Sequence, residues 1–194
     1  MMLIKNIKQE KFRAIQNFLN LNIISNKIIL AGGSLRTLVN QQDKVIDFDL
    51  FFLGEDIKEI KDILEGKILY LGGKKTFQCK EDELRSFEFC GMKIQFISLK
   101  GKKYNNAEEL LDSFDINASR FALSSDGLYC YRESIGDIRH KHISIHKVSY
   151  PVATIKRIAK YHLKGYKITN AALEVTKQIA ENGNEMDLEL VYVD

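Results

Sequence analysis

The chain has 194 residues, of which 45% are hydrophobic and 28% charged, and its formal net charge is +3. This length and composition suffice for one globular core and exclude collagen-like, low-complexity and long disordered chains. No apolar run approaches the roughly 18 residues of a membrane span and no N-terminal signal segment is visible, so we expect a cytoplasmic protein without membrane contact. Three cysteines without a CxxC pair predict reduced thiols, not a disulfide framework or a zinc knuckle.

In chain order, hydrophobic periodicity first predicts alternating helices and strands. The apolar run KIILA stops at Gly32 and Gly33, which is typical of a buried strand followed by a tight turn, and Ser34 suits the N-cap of the next helix. The predicted elements of this part are a helix over residues 8–19, a strand over 27–31, a helix over 35–40, a strand over 45–52 and a helix over 56–64.

The middle of the chain is richer in β-formers. Short β-branched or aromatic runs predict strands over residues 68–71, 76–79, 86–89 and 93–98. A short helix over 107–111 follows, and then a hairpin whose strands are 120–123 and 128–131.

The last part of the chain is predicted to be mainly helical. Pro151 suits the first turn of a helix and Gly165 suits its end. The apolar stripe of this helix is predicted to consist of Ile155, Ile158, Ala159, His162, Leu163 and Tyr166. A second helix over 171–180 precedes a β-like segment over 188–192.

Charge is unevenly distributed along the chain. Residues 138–173 include no acid but hold all four histidines and the basic residues Arg139, Lys141, Lys147, Lys156, Arg157, Lys160, Lys164 and Lys167. We therefore expect a polyanionic partner, such as RNA, to meet the segment 139–167.

Two carboxylates form the first candidate site. Asp47 and Asp49 are separated by one residue in a predicted strand, so both side chains leave the same face, while Phe48 and Leu50 point to the other. Such a pair is also found on solvated strand faces, but two adjacent carboxylates repel each other unless a cation compensates them. The arrangement can hold Mg²⁺ or Mn²⁺.

The turn before this strand favours the metal-binding interpretation. Gly32, Gly33 and Ser34 follow a buried strand and open a helix, so backbone N–H groups and a hydroxyl lie at its positive end and can cradle phosphate oxygens. Twelve residues separate Ser34 from Asp47, enough for one short helix and a return to the neighbouring strand. We expect the phosphate cradle and the carboxylates to lie side by side.

On these residues, IILAGGSLR followed by DFDLFF, the chain resembles the polymerase-beta-like nucleotidyltransferase superfamily. The segment GGSLR is similar to the GGxxR opening of the head domain of tRNA nucleotidyltransferases and bacterial poly(A) polymerases. Residues 114–118 (FDINA) resemble their second motif, RRDFTINALAY, with Ser113 and Phe114 in place of the two arginines. The helix from Pro151 resembles the basic helix that follows this head domain, also in small phage-type relatives.

The resemblance implies an α/β (α+β) nucleotidyltransferase fold with a mixed sheet, and phosphoryl transfer assisted by two metal ions. Asp47 and Asp49 would hold Mg²⁺ or Mn²⁺. The nucleotide-binding residues implied are Gly32, Gly33, Ser34, Arg36, Arg157 and Lys160. Asp115 matches the Asp of the second motif and is either a third catalytic carboxylate or a cap or turn residue, since the strand 93–98 offers only Gln95 where many members carry a carboxylate.

We expect residues 1–150 to form the head domain and residues 151–194 a helical segment packed on it. The expected activity is transfer of a nucleoside monophosphate from an NTP to a hydroxyl acceptor, an RNA (tRNA-like) 3′ end being the first choice. Nucleotidyl transfer to a protein or small molecule, and a catalytically silent nucleotide- or RNA-binding module, are the alternatives.

Overall fold

The computed structural model describes residues 1–4, 27–40, 47–54, 57–79, 84–98 and 102–182. Eight strands of these residues form one sheet: β1 (Met2–Ile4), β2 (Ile28–Ala31), β3 (Asp47–Phe52), β4 (Lys74–Gln78), β5 (Leu84–Phe89), β6 (Met92–Ile97), β7 (Phe121–Ser124) and β8 (Gly127–Cys130). Their spatial order is β1-β8-β7-β2-β3-β6-β5-β4. Neighbours are antiparallel except β3 and β6, which are parallel, so the mixed sheet is confirmed.

The helices and a second, small sheet surround this core. The helices are α1 (Gly33–Asn40), α2 (Ile57–Tyr70), α3 (Ala107–Asp112), α4 (Arg132–His140), α5 (Pro151–Leu163) and α6 (Asn170–Asn182). Strands β9 (His142–Ile143) and β10 (Lys167–Ile168) pair in parallel apart from the main sheet. Within the described ranges, none of the helices has the length and apolarity to cross a bilayer. The predicted helix 8–19 and the β-like segment 188–192 lie outside the described residues.

Strand alternation divides the core into two layers. Leu50 and Phe52 of β3 point to the face covered by α2, whereas Phe51 points to the face covered by Leu110 and Leu111 of α3. Because side chains alternate along a strand, Asp47 and Asp49 share the face of Phe51, as the sequence predicted. The same alternation puts Gln95 beside Asp49, since the two residues are register partners in the parallel pair of β3 and β6.

The predicted strand 68–71 is wrong, because α2 continues to Tyr70. Ile60, Leu64 and Ile68 recur every fourth residue and are at most 3% exposed, which is the spacing of one buried helix face. Gly72, two residues after the helix ends, has a φ of +88°, the left-handed conformation typical of the residue that follows a helix C-terminus. Gly73 N–H then donates to the Ile68 carbonyl at 2.8 Å, which closes the last turn.

The predicted apolar stripe of the helix from Pro151 is also wrong in part. Pro151 does occupy the first turn of α5. However, the buried face consists of Ala153, Thr154, Ile158 and Tyr161, whereas Leu163 is 87% exposed. A polar residue, Thr154, therefore lies fully inside the fold.

Helix α4 (Arg132–His140) was not predicted at all. Its composition is mostly polar, with only Ile135 and Ile138 as large apolar residues, so hydrophobic periodicity is weak. The helix ends at Lys141, which adopts a left-handed conformation with φ of 53°.

Candidate active site

A cavity of about 710 Å³ opens between the end of β2, the middle of β3, the segment 113–119 and helix α5. Its walls contain most of the residues that the sequence singled out. The predicted site residues that line it are Gly32, Gly33, Arg36, Asp49, Asp115, Arg157 and Lys160. Asp47 and Ser34 are not part of the lining. The pocket is of the size in which proteins bind small ligands.

The glycine turn forms one wall of this cavity. Gly32 has a φ of +87°, in the left-handed region that favours glycine, and its N–H donates to the Phe121 carbonyl at 3.1 Å. A Cβ atom at Gly32 would lie 3.7 Å from Asp49 Oδ2 and 3.8 Å from the Phe114 ring. The turn and the carboxylate of β3 are therefore immediate neighbours, as the spacing between them predicted.

Ser34 differs from the prediction. Helix α1 begins at Gly33, so Ser34 lies in its first turn and is not the N-cap. Its side chain is buried, and its Oγ has no hydrogen-bond partner within the described part of the chain. The N–H groups of a first helical turn lack intrahelical acceptors, so the turn offers donors to an anion.

The two carboxylates of β3 occupy different surroundings. Asp49 lines the cavity, and Asp47, two residues earlier, is opposite Lys93 of β6 in the strand register. Both are half-buried. Gln95, which is 1% exposed, lies beside Asp49 and donates through Nε2 to Ser86 Oγ at 3.4 Å. The strand position next to Asp49 thus carries an amide.

Asp115 lies in the cavity wall, and its carboxylate is engaged. Oδ2 accepts hydrogen bonds from Thr154 Oγ1 and from Arg157 Nη1, each at 2.7 Å. Oδ1 accepts the Ile116 N–H at 2.9 Å. Asp115 is 8% exposed and Arg157 is half-buried, so the segment 113–119 is connected to α5 by a partly buried ion pair. Of the residues that the structure describes, no three Asp, Glu, His or Cys are grouped so as to hold a metal ion.

Arg36 makes the second connection between the turn and α5. It is 4% exposed, and its guanidinium lies 4.5 Å above the centre of the Tyr161 ring. The guanidinium carbon also lies 5.8 Å from the centre of the Tyr166 ring. A cation held over an aromatic face keeps its charge while its position is fixed. Arg36 therefore presents a well-positioned positive charge at the cavity.

Helix α5 contributes a basic wall. Lys156, Arg157, Lys160 and Lys164 all line the cavity, and the three lysines are exposed to solvent. They lie on one side of the helix because residues three, four and eight positions apart are neighbours on its surface. This wall shares the cavity with the glycine turn and Asp49.

A hydrogen-bond network supports the segment 113–119 from behind. Arg120, 4% exposed, donates to Asp112 Oδ1 at 2.5 Å and to Asn117 Oδ1 at 3.1 Å, and stacks on the Tyr131 ring at 3.7 Å. Burial opposes ionisation of Asp112, but the Tyr131 hydroxyl and the Arg120 guanidinium outweigh it and lower the pKa of this carboxyl. Burial and the hydrogen bond to Asp112 raise the pKa of Tyr131 to about 12. Asn117 also donates to Ser144 Oγ, at 3.0 Å.

Sequence reasoning missed two residues of this arrangement. Thr154 was not singled out, although its position four residues before Ile158 places it on the same face of the helix. Tyr161 was not among the predicted site residues either, and the sequence offered no signal that Arg36 would be its partner.

Several solved structures share this arrangement of sheet and helices. The structure of a Thermotoga maritima CCA-adding enzyme complexed with tRNA matches with a TM-score of 0.68 and 16% identity, over 94% of this chain and 47% of the other. A CCA-adding enzyme in complex with CTP matches with a TM-score of 0.68 and 18% identity, over 94% and 46%. A tRNA nucleotidyltransferase complexed with a primer tRNA and an incoming ATP analogue matches with a TM-score of 0.59 and 19% identity, over 81% and 47%.

These similarities define the class of protein: the chain has the nucleotidyltransferase fold. It spans about half the length of the structures that it matches. The family model of the Gabija anti-defense 2 family proteins matches residues 3–141, and the chain belongs to this family. No curated protein is significantly similar to it in sequence.

Proposed function

We propose that this protein is a metal-dependent nucleotidyltransferase that transfers a nucleoside monophosphate from an NTP to a hydroxyl acceptor. One observation carries the proposal: Asp49 lies next to the glycine turn at the start of α1, in a cavity that basic residues of α5 also line. The oxygens of a triphosphate are bound by hydrogen-bond donors and by cations. A carboxylate takes part only by holding a divalent cation that contacts these oxygens. The cavity combines the two.

The carboxylates of β3 fit a divalent cation. Asp47 and Asp49 are hard oxygen donors two residues apart on one face of β3. Mg²⁺ or Mn²⁺ bound there would polarise the phosphoryl oxygens and offset the charge that develops on the leaving pyrophosphate. We assign Asp47 and Asp49 as the residues that hold it.

The remaining residues of the cavity are assigned to the nucleotide. Gly33 offers its backbone N–H at the positive end of α1, and Gly32, whose own N–H is bonded to the Phe121 carbonyl, lines the cavity without a side chain. Ser34, in the first turn but outside the lining, offers a buried hydroxyl that has no partner in the described part of the chain. Arg36 and Lys160 contribute charge to the triphosphate from two sides. The basic wall of the cavity belongs to the segment 151–194. The nucleotide would therefore be bound by residues of this segment together with residues of the head domain, 1–150.

RNA is the acceptor that the charge distribution favours. Lys156, Lys160 and Lys164 are exposed at the cavity, and residues 138–173 contain no acid. A strand whose 3′ hydroxyl enters the cavity would place its phosphates along this helix.

The family to which the chain belongs favours a second acceptor class. Its name places its members in anti-defense, that is, in action against another molecular system called Gabija. Nucleotidyl transfer to a hydroxyl of a protein or small molecule of such a system uses the same cavity and the same metal. It differs from the first choice in requiring no affinity for RNA.

A labelling experiment tests the proposal. The purified protein is incubated with each α-labelled NTP, Mg²⁺ or Mn²⁺, and either total RNA or a protein extract from cells with the defence system. Transfer of label to RNA supports the RNA acceptor, and transfer to protein or small molecules supports the second class. If no label moves although NTP binds, the chain is a catalytically silent binding module.

Two double variants that each remove two negative charges provide the test of the metal-holding residues and its control. Asp47→Asn combined with Asp49→Asn should abolish transfer and leave the fold intact. Glu59→Gln combined with Glu88→Gln removes the same charge from exposed positions of α2 and β5 and should leave transfer unchanged. Equal loss in both double variants would contradict the assignment of the metal-holding residues.

A further inference from the structure

Asp115 is a carboxylate of the cavity wall whose two oxygens both accept hydrogen bonds from the protein. Oδ2 is shared by the Thr154 hydroxyl and the Arg157 guanidinium, and Oδ1 accepts the Ile116 N–H. Both side-chain partners belong to α5 and follow Asp115 by 39 and 42 residues. The carboxylate is 8% exposed, so these contacts are shielded from solvent.

We infer that Asp115 is a positioning residue that holds Arg157 in place for the triphosphate, and that it is not a third metal ligand. The inference rests on the proposed function, because it assigns a task to Arg157 within the same cavity. It differs from the reading in which the second motif supplies a catalytic carboxylate.

Arg157 keeps hydrogen-bond donors that Asp115 does not use. Arg157 lines the cavity with a side chain that is 35% exposed, and one guanidinium nitrogen, Nη1, is used by Asp115. A guanidinium has five N–H donors in a rigid fork, so a contact at one edge orients the donors that are left. Without Asp115, the long side chain of Arg157 would sample several rotamers, and binding an anion would have to order it.

The charges of Asp115 and Arg157 cancel. Asp115 and Arg157 neutralise each other at 2.7 Å, so the pair adds no net positive charge to the basic wall. Arg157 then acts by geometry, through directed hydrogen bonds, while Lys156 and Lys160 supply the net charge. Because Arg157 acts through the direction of its hydrogen bonds, its contribution depends on Asp115, which holds it in position.

The hydrogen bonds of Asp115 oppose a role as a metal ligand. A carboxylate that ligates a divalent cation needs oxygen lone pairs directed at it, and three of the approximately four lone-pair sites of Asp115 already accept protein donors. In addition, Asp115 forms no three-membered acidic, His or Cys cluster with other described residues that could hold a metal.

A double-mutant cycle between Asp115 and Arg157 tests the inference. The probe is inorganic tripolyphosphate in the presence of Mg²⁺, titrated by calorimetry, because it reports on the phosphate site without depending on the base. Arg157→Gln and Asp115→Asn should each weaken tripolyphosphate binding about tenfold, the loss expected for a hydrogen bond to a charged group. The double variant should also be about tenfold weaker and no more, because Asp115 acts only through Arg157.

The kinetic readout separates the two roles of Asp115. Holding Arg157 affects KM for the NTP and leaves kcat at saturating NTP within about twofold, whereas a lost metal ligand lowers kcat by orders of magnitude. A cycle in which the two substitutions add, or a fall of kcat in Asp115→Asn, would overturn the inference. If Asp115→Asn alone does not fold, the double variant compared with Arg157→Gln gives the same answer, since it leaves no unpaired charge.

Asp112→Asn is the matched control. Asp112 lies three residues before Asp115, forms an ion pair with Arg120 at 2.5 Å and does not line the cavity. Its substitution should lower the thermal unfolding midpoint and leave tripolyphosphate binding unchanged. An equal loss of binding in Asp112→Asn would show that Asp115 merely stabilises its segment, and would overturn the inference. A wild-type protein that neither binds tripolyphosphate nor transfers label would refute the proposed function itself, whereas binding that is indifferent to both substitutions refutes the inference alone.

Discussion

Substitution of Thr154 by valine tests whether α5 is held by the contact with Asp115. The side chain is fully buried, at 0% exposure, and its hydroxyl donates to Asp115 Oδ2 at 2.7 Å. It also lies 3.1 Å from the Tyr150 carbonyl, four residues earlier in the chain. Valine has the same branched shape, so the change removes the hydroxyl without opening a cavity.

The expected loss follows from the type of acceptor. A hydrogen bond to a charged group contributes about 1.5–3 kcal/mol, and one to a neutral carbonyl about 1 kcal/mol. Asp115 keeps Arg157 and the Ile116 N–H, so it is not left without partners. We therefore expect Thr154→Val to lower the free energy of unfolding by about 2 kcal/mol, which corresponds to about 1 M in the urea midpoint.

The assay is urea unfolding followed by circular dichroism, with Thr176→Val as control. The Thr176 hydroxyl donates to the Ala172 carbonyl at 2.8 Å, also four residues earlier in its helix, but has no carboxylate partner in the described part of the chain. Its loss should be below about 1 kcal/mol. Equal losses in the two variants would refute the argument that the bond to Asp115 holds α5.

Three further predictions concern the fold. Ile68→Ala should destabilise the protein by about 3 kcal/mol and Leu69→Ala by much less, measured by denaturant unfolding, because Ile68 is 1% and Leu69 43% exposed on α2; similar losses would contradict the helical assignment. Gly32→Ala should lower the free energy of unfolding by about 1 kcal/mol through its φ of +87°, while Gly33→Ala, with open space at the Cβ position, should not; equal melting temperatures would argue against the strained turn. Burial and a neighbouring arginine lower the pKa of His146, so the unfolded chain binds its proton more readily and stability falls as the pH drops through about 6.5. His146→Gln should flatten this part of the melting profile, and an unchanged slope would contradict it.

The elements that build the site follow from local patterns. The run that ends at Gly32 predicts β2 and its turn because a buried strand must be apolar and because only glycine readily adopts a positive φ. The alternation of Asp47 and Asp49 with Phe48 and Leu50 predicts the face that carries the carboxylates, since the side-chain period of a strand is two. Both signals lie within a few residues, so no knowledge of the tertiary structure is needed.

The errors arise where local signals are ambiguous. Ile68 belongs to a short apolar run that fits a strand as well as the end of a helix, and its burial against the sheet face of Leu50 and Phe52 decides for the helix. Leu163 lies four residues after Ala159 and so fits the predicted apolar stripe, yet it is 87% exposed because α5 turns a different face to the core.

The sequence by itself determined the strand, turn and carboxylates that form one wall of the cavity, because each depends on neighbours in the chain. Only the tertiary structure decided what stands opposite. Arg36 stacks on Tyr161, and Asp115 binds Thr154 and Arg157, across separations of about forty residues or more. Such pairings depend on how α5 packs against the sheet, and a single sequence carries no local signal for partners that meet only when the chain has folded.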